Sequence, residues 1–240
     1  MSATQFGSPS SIQAKRSRGY AKLQENRPKE KKMDAPQTAA QTVSRLAEKI
    51  SYEEYLELDL DAWTEWVDGE IIFLPMASEN HQDLVLFLSA LLRHYAEFHQ
   101  LGKAYCEPFS MKTGPDLPGR SPDALFVSQQ NLHRIEKQCV RGPADLVVEI
   151  VSPDSLRRDR VEKFGEYQKG GVREYWLIDP KRKRADFFAL SEQGLFQPLP
   201  LEEGVMRSRV LQGLWLKPEW LWQNPLPPLM DVLRHWGLVG

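Results

Sequence analysis

Two carboxylates set in apolar runs, and one lysine on the helix that follows, define the chemistry expected of this chain. Glu149 interrupts the run Ala144-Asp145-Leu146-Val147-Val148-Glu149-Ile150-Val151, whose β-branched residues read as a buried strand. Asp123 opens a second apolar run, Ala124-Leu125-Phe126-Val127, directly after Ser121-Pro122. Lys163 follows Glu149 by fourteen residues, on a helix expected to begin just past that strand. A carboxylate buried without a partner is costly, so it normally meets a cation or a metal. Two strand carboxylates, with a backbone carbonyl such as that of Ile150, form the hard oxygen set that Mg²⁺ prefers, with Mn²⁺ as a substitute. A metal so held orients a water and polarises a phosphodiester, and Lys163 would hold the scissile phosphate or orient the water. The plain alternative is a structural ion pair with Arg157, Arg158 or Lys163, and spacing by itself leaves both open.

The elements that must position these residues follow from local pattern. Ser51 and Glu54 have capping-box spacing and start a short helix. Trp63–Val67 and Glu70–Leu74 flank Asp68-Gly69, a hairpin signal that puts Glu70 first after the turn. Leu84, Leu88, Leu91, Leu92, Tyr95 and Phe98 recur at helical spacing, predicting a long helix over residues 79–100 that Gly102 stops. Lys103–Met111 reads as one strand, and a Gly/Pro-rich loop leads from there to the Asp123 strand. After the Glu149 strand, a helix over residues 155–169 ends at Gly170-Gly171, and a hairpin turns at Asp179–Lys183. The order predicts an α/β fold with a central mixed β-sheet flanked by helices.

The chain has 240 residues, enough for one domain with tails or at most two small domains. No apolar run approaches the roughly 18 residues that span a bilayer, and the N-terminus carries no signal-peptide pattern. Cys106 and Cys139 have neither metal-ligand spacing nor a disulfide framework, which fits reduced thiols and a cytoplasmic location. Residues 1–45 carry nine Lys/Arg against three acidic residues, a surplus of +6, leaving −8 on the rest of a chain whose net charge is −2. Residues 1–43 read as a disordered basic tail, either simply solvated or helping to hold nucleic acid. Residues 44–240 read as the folded domain. Its ending is rich in tryptophan (Trp215, Trp220, Trp222, Trp236), which closes a core or builds a homodimer surface.

The motifs Asp68-Gly69-Glu70, Ser78…His81, Ser121-Pro122-Asp123, Asp145-Leu146-Val147-Val148-Glu149-Ile150…Ser152-Pro153 and Arg158-Asp159…Lys163…Tyr167…Gly170-Gly171-Val172-Arg173-Glu174-Tyr175-Trp176 resemble the Uma-two family. That family is grouped with restriction endonucleases in the PD-(D/E)XK nuclease superfamily. The resemblance runs from about Ser51 to Trp222, and it is most specific between Pro143 and Pro180. It implies a restriction-endonuclease-like fold and a Mg²⁺-dependent endonuclease acting on DNA. It further implies metal ligands at Asp123, Glu149 and Glu70, with His81 as an added site residue. The superfamily lysine would fall at Val151, so the resemblance implies that Lys163 supplies it from the helix, with Lys169 as a second candidate. Read from the residues alone, Glu70 is first an exposed hairpin residue, and His81 is equally a polar helix end. The competing reading of the whole is a catalytically inactive module of the same fold that binds nucleic acid or protein. The −8 charge of the body does not favour tight binding of DNA.

Overall fold

Pro108 breaks what the apolar pattern joins. The computed structural model describes residues 49–152 and 155–240, so the tail expected over residues 1–43 lies outside the described residues. Within it, Lys103–Met111 forms two strands, β3 (Gly102–Cys106) and β4 (Ser110–Lys112), separated at Glu107-Pro108. A proline cannot donate to a strand ladder, and the chain leaves one sheet there for another. The other described strands are β1 (Thr64–Val67), β2 (Glu70–Phe73), β5 (Gly119–Arg120), β6 (Ala124–Ser128), β7 (Cys139–Arg141), β8 (Leu146–Ile150), β9 (Glu174–Asp179), β10 (Arg184–Leu190), β11 (Phe196–Pro198) and a separate antiparallel pair, β12 (Met206–Arg207) and β13 (Trp215–Leu216). A six-stranded sheet runs β11-β10-β9-β8-β6-β3, and a five-stranded sheet runs β2-β1-β5-β4-β7. In the larger sheet β8 and β9 are parallel and the other neighbours antiparallel, so the mixed α/β class holds.

The described α-helices are α1 (Tyr52–Leu56), α2 (Glu79–Phe98), α3 (Phe164–Gly170) and α4 (Leu229–His235), with short 3-10 turns at Gln129–Arg134 and Pro218–Trp222. Ser51 and Glu54 make the expected capping box at α1. Alternation along β8 sends Leu146, Val148 and Ile150 into one core with Leu84, Leu88 and Leu92 of α2. Val147 and Val151 enter the other core, with Tyr167 of α3 and Tyr175. Both faces are covered, which is why β8 reads as a continuous apolar run rather than an alternating one.

Two further expectations change in detail, and the Trp-rich ending takes its core-closing form. Helix α2 ends at Phe98; Gln100 takes the left-handed turn (φ 55°), and Gly102 already belongs to β3. Gly102 has φ 153°, and a Cβ there would lie 2.1 Å from the Val127 carbonyl oxygen. The helix expected over residues 155–169 includes a π-helical stretch, Arg158–Lys163, before α3. The C-terminal tryptophans pack inward: Trp220 is buried in the α2 core, Trp215, Trp222 and Trp236 pack against it, and Trp236 meets Tyr95 edge-on at 5.4 Å. Among the described residues no helix is long and apolar enough to cross a membrane.

Candidate active site

The ladder between β6 and β8 brings the two strand carboxylates together. Ala124 pairs with Val148 and Leu125 with Val147, so one further step along the same register sets Asp123 opposite Glu149. Asp123 Oδ2 accepts a short hydrogen bond from the Ile150 backbone N–H, which fixes its carboxylate at the mouth of the strand pair. Residue parity then points Glu149 into the core that holds Val147, Val151 and Tyr167, beneath the π-helical stretch.

Lys163 reaches Glu149. Its buried Nζ lies 2.9 Å from both carboxylate oxygens, 3.0 Å from Glu65 Oε1 and 3.8 Å from Asp159 Oδ1. Tyr167 donates to Glu149 Oε1 at 2.6 Å. Glu65 is fully buried in β1 and is also bound by Arg120 at 2.9 Å, while Arg120 grips Glu166 through two nitrogens at 2.7 and 2.8 Å. Burial favours a neutral amine, yet Glu149 and Glu65 outweigh it and raise the Lys163 pKa above its ordinary value. Burial opposes ionisation of Glu65 too, but Lys163 and Arg120 pull its carboxyl down to about 2. For Glu149, burial is the larger effect and pushes the carboxyl up, with Lys163 opposing. The wide π turn carries both Asp159 and Lys163 to this network; such turns often occur at functional sites.

Outward from the network opens a cavity of about 130 Å³. Four carboxylates face it, those of Glu107, Asp123, Glu149 and Asp159, against two fixed cations, Lys163 and Arg158. His81, in the first turn of α2, places Nε2 3.4 Å from Asp123 Oδ1. Burial disfavours the charged imidazole, but Asp123 prevails and raises its pKa. Glu107 sits where the chain crosses between sheets, with Oε1 held by Gln82 Nε2 at 3.0 Å. Burial, and Asp123 after it, push the Glu107 carboxyl up to about 7. One donor atom each from His81, Glu107 and Asp123 lie within 4.8 Å of one another, an arrangement able to hold a metal ion. Buried atoms without a hydrogen-bond partner gather at the same place: His81 Nδ1, Asp159 Oδ1 and Arg158 Nε.

Of the five residues the sequence singles out, Asp123, Glu149, Lys163 and His81 meet at this cavity, and Glu70 does not. Glu70 is exposed and pairs with Val67 at the turn, whereas the Glu65 that enters the network pairs with Ile72 two residues along β1. The hairpin does supply an acid, but from its deep end. Lys169, the second lysine candidate, is exposed. Sequence reasoning missed Glu65, Glu107 and Asp159. For Glu107 a signal existed in the following Pro108, which marks a place where a strand stops and a side chain can turn into a site.

Residues 52–219 match a family model, Uma2, described as "Putative restriction endonuclease". The fold is similar to a crystal structure of "a putative nuclease belonging to DUF820 from Anabaena variabilis ATCC 29413". The TM-score is 0.59 at 19% sequence identity, covering 72% of this chain and 97% of that one. No curated protein matches the chain. The architecture is therefore restriction-endonuclease-like.

Proposed function

The chain belongs to the Uma2 family, and from that premise we propose that it is a metal-dependent endonuclease hydrolysing phosphodiester bonds of DNA. The reading rests above all on one observation: Asp123 and Glu149 share a carboxylate-rich cavity with a lysine whose charge is fixed 2.9 Å from Glu149. Asp123, with His81 and Glu107, offers donors for a divalent ion, Mg²⁺ or Mn²⁺, and the excess of carboxylates over cations in the cavity suits a cation. Such an ion supplies Lewis-acid polarisation of a phosphodiester.

The chain's own residues divide the remaining work. Asp123 keeps its orientation through the Ile150 N–H, so a donor atom stays aimed at the cavity. Glu149 holds Lys163, and Glu65 and Arg120 brace that pair from behind, which keeps the ammonium protonated and fixed beside the cavity. A preorganised positive charge of this kind stabilises charge that develops on phosphate oxygens without moving at the moment of reaction. Arg158, on the cavity wall, adds a second positive group for the substrate backbone.

The test is cleavage of plasmid DNA by the full chain with Mn²⁺ or Mg²⁺ and with chelator. Cleavage should require the divalent ion and vanish in Asp123→Asn while the melting temperature holds. Cleavage that survives chelator or Asp123→Asn overturns the reading. DNA binding without cleavage under any divalent ion favours the inactive module instead.

A further inference from the structure

We infer that His81, Glu107 and Asp123 form a binding site selective for imidazole-accepting divalent ions of the first transition row, with Mn²⁺ bound in preference to Mg²⁺. The role of the ion in cleavage rests on the nuclease reading; its binding stands on the donor set alone.

The three donors come from three separate elements, the first turn of α2, the β3–β4 junction and the residue before β6, yet converge within 4.8 Å. Among the described residues Glu107 makes no close ion pair with a Lys or Arg, Lys163 acting on it only from a distance, and its carboxylate shares the cavity with that of Asp123. Two neighbouring carboxylates repel unless a cation or proton lies between them. His81 has one nitrogen 3.4 Å from Asp123, while Nδ1 is buried with no hydrogen-bond partner. Buried polar atoms are almost always satisfied, so an imidazole with one nitrogen unpaired and the other 3.4 Å from a carboxylate has bonding capacity to spare. Gln82 holds one oxygen of Glu107, the kind of outer contact that orients a metal ligand.

The donor types set the choice of ion. An all-oxygen set from Asp123, Glu149 and Glu70 suits Mg²⁺, which demands near-ideal octahedral oxygen coordination. Here Glu70 lies outside the cavity, both Glu149 oxygens are bonded to Lys163 and one also to Tyr167, and a nitrogen takes part. Imidazole suits the transition ions, whose affinities rise from Mn²⁺ along the series, and it gives Mg²⁺ little.

The experiment titrates the metal-stripped full chain with MnCl₂ and with MgCl₂ by calorimetry, and follows Mn²⁺ by electron paramagnetic resonance. Mn²⁺ should bind one site about tenfold or more tightly than Mg²⁺. His81→Ala should cost Mn²⁺ about tenfold or more and erase the preference, and Glu107→Gln should weaken binding of both ions. Equal affinities for the two ions in the wild type overturn the proposal. So does Mn²⁺ binding unchanged in a folded Glu107→Gln. A readout that needs no variant is paramagnetic broadening of the His81 ring signals by Mn²⁺, and its absence at saturation also overturns the proposal. Selective Mn²⁺ binding without DNA cleavage supports this site and removes the nuclease reading. Cleavage accompanied by equal Mg²⁺ and Mn²⁺ affinity does the reverse.

Discussion

Lys163 and Glu149 stand fourteen residues apart in sequence, and the Lys163 ammonium lies 2.9 Å from both oxygens of the Glu149 carboxylate, wholly out of solvent. The strand supplies the acid and the helix supplies the cation.

Breaking that pair should cost stability as well as chemistry. In Lys163→Met, Glu149 and Glu65 lose their shared cation while still buried. Removing one partner of a buried pair typically costs about 3–5 kcal/mol, on the order of 10 °C in melting temperature for a domain of this size. Calorimetric melting should record that fall, and Lys163→Met/Glu149→Gln should recover part of it. Lys169→Ala, at an exposed position, should leave both melting and DNA cleavage unchanged.

The two hairpin acids should behave oppositely. Glu70→Gln should leave stability within about 0.5 kcal/mol of the wild type and leave cleavage rates intact, as expected for an exposed residue outside the cavity. Glu65→Gln removes an acceptor shared by Lys163, Arg120 and the Ser121 N–H, and should destabilise clearly at neutral pH. Chemical denaturation of the two variants side by side checks the contrast.

Acid should find the same residue. Lys163 and Arg120 overcome burial and hold the folded Glu65 carboxyl at about 2, below its ordinary value of 4.5. A depressed folded pKa gives stability that is fully present above the unfolded pKa and lost as pH falls through the folded one. The contribution, on the order of 3 kcal/mol, should therefore fade between about pH 4.5 and 2. Urea unfolding of wild type and Glu65→Gln at pH 6, 4 and 3 should show the wild-type advantage shrinking with pH. An advantage that stays constant or grows contradicts this sign.

Much of this arrangement is legible in the sequence, for a physical reason. Asp123 and Glu149 are charges in apolar runs, and burial makes such charges conspicuous. The Ser51–Glu54 cap and the Asp68-Gly69 turn are local and need no tertiary context. Glu65 and Glu70 could not be told apart because strand parity puts them on one face of the hairpin, and only depth against the second sheet separates them. Glu107 was hidden because its strand looked continuous through Pro108. Asp159 was hidden because 3.6-residue periodicity does not foresee a π turn.

Arg158 and Arg157 adjoin in sequence but have different surroundings. Arg157 is 87% exposed, whereas Arg158 is 22% exposed, lines the cavity and leaves its buried Nε without a hydrogen-bond partner, 3.9 Å from Asp159 Oδ1. On the nuclease reading, an unsatisfied guanidinium nitrogen on a residue lining this cavity is placed to bind a substrate phosphate. Guanidinium and phosphate match as a planar fork, and hydrogen bonds to charged groups contribute about 1.5–3 kcal/mol. Arg158→Ala should therefore raise KM for DNA by roughly 10- to 100-fold, change kcat by less than about threefold, and leave the melting temperature near that of the wild type. Arg158→Lys should restore only part of the affinity, because a lysine offers a point charge without the fork. Steady-state cleavage kinetics on a labelled duplex separate the two constants. A fall in kcat at unchanged KM would place Arg158 on the transition state instead, and Arg157→Ala should change neither.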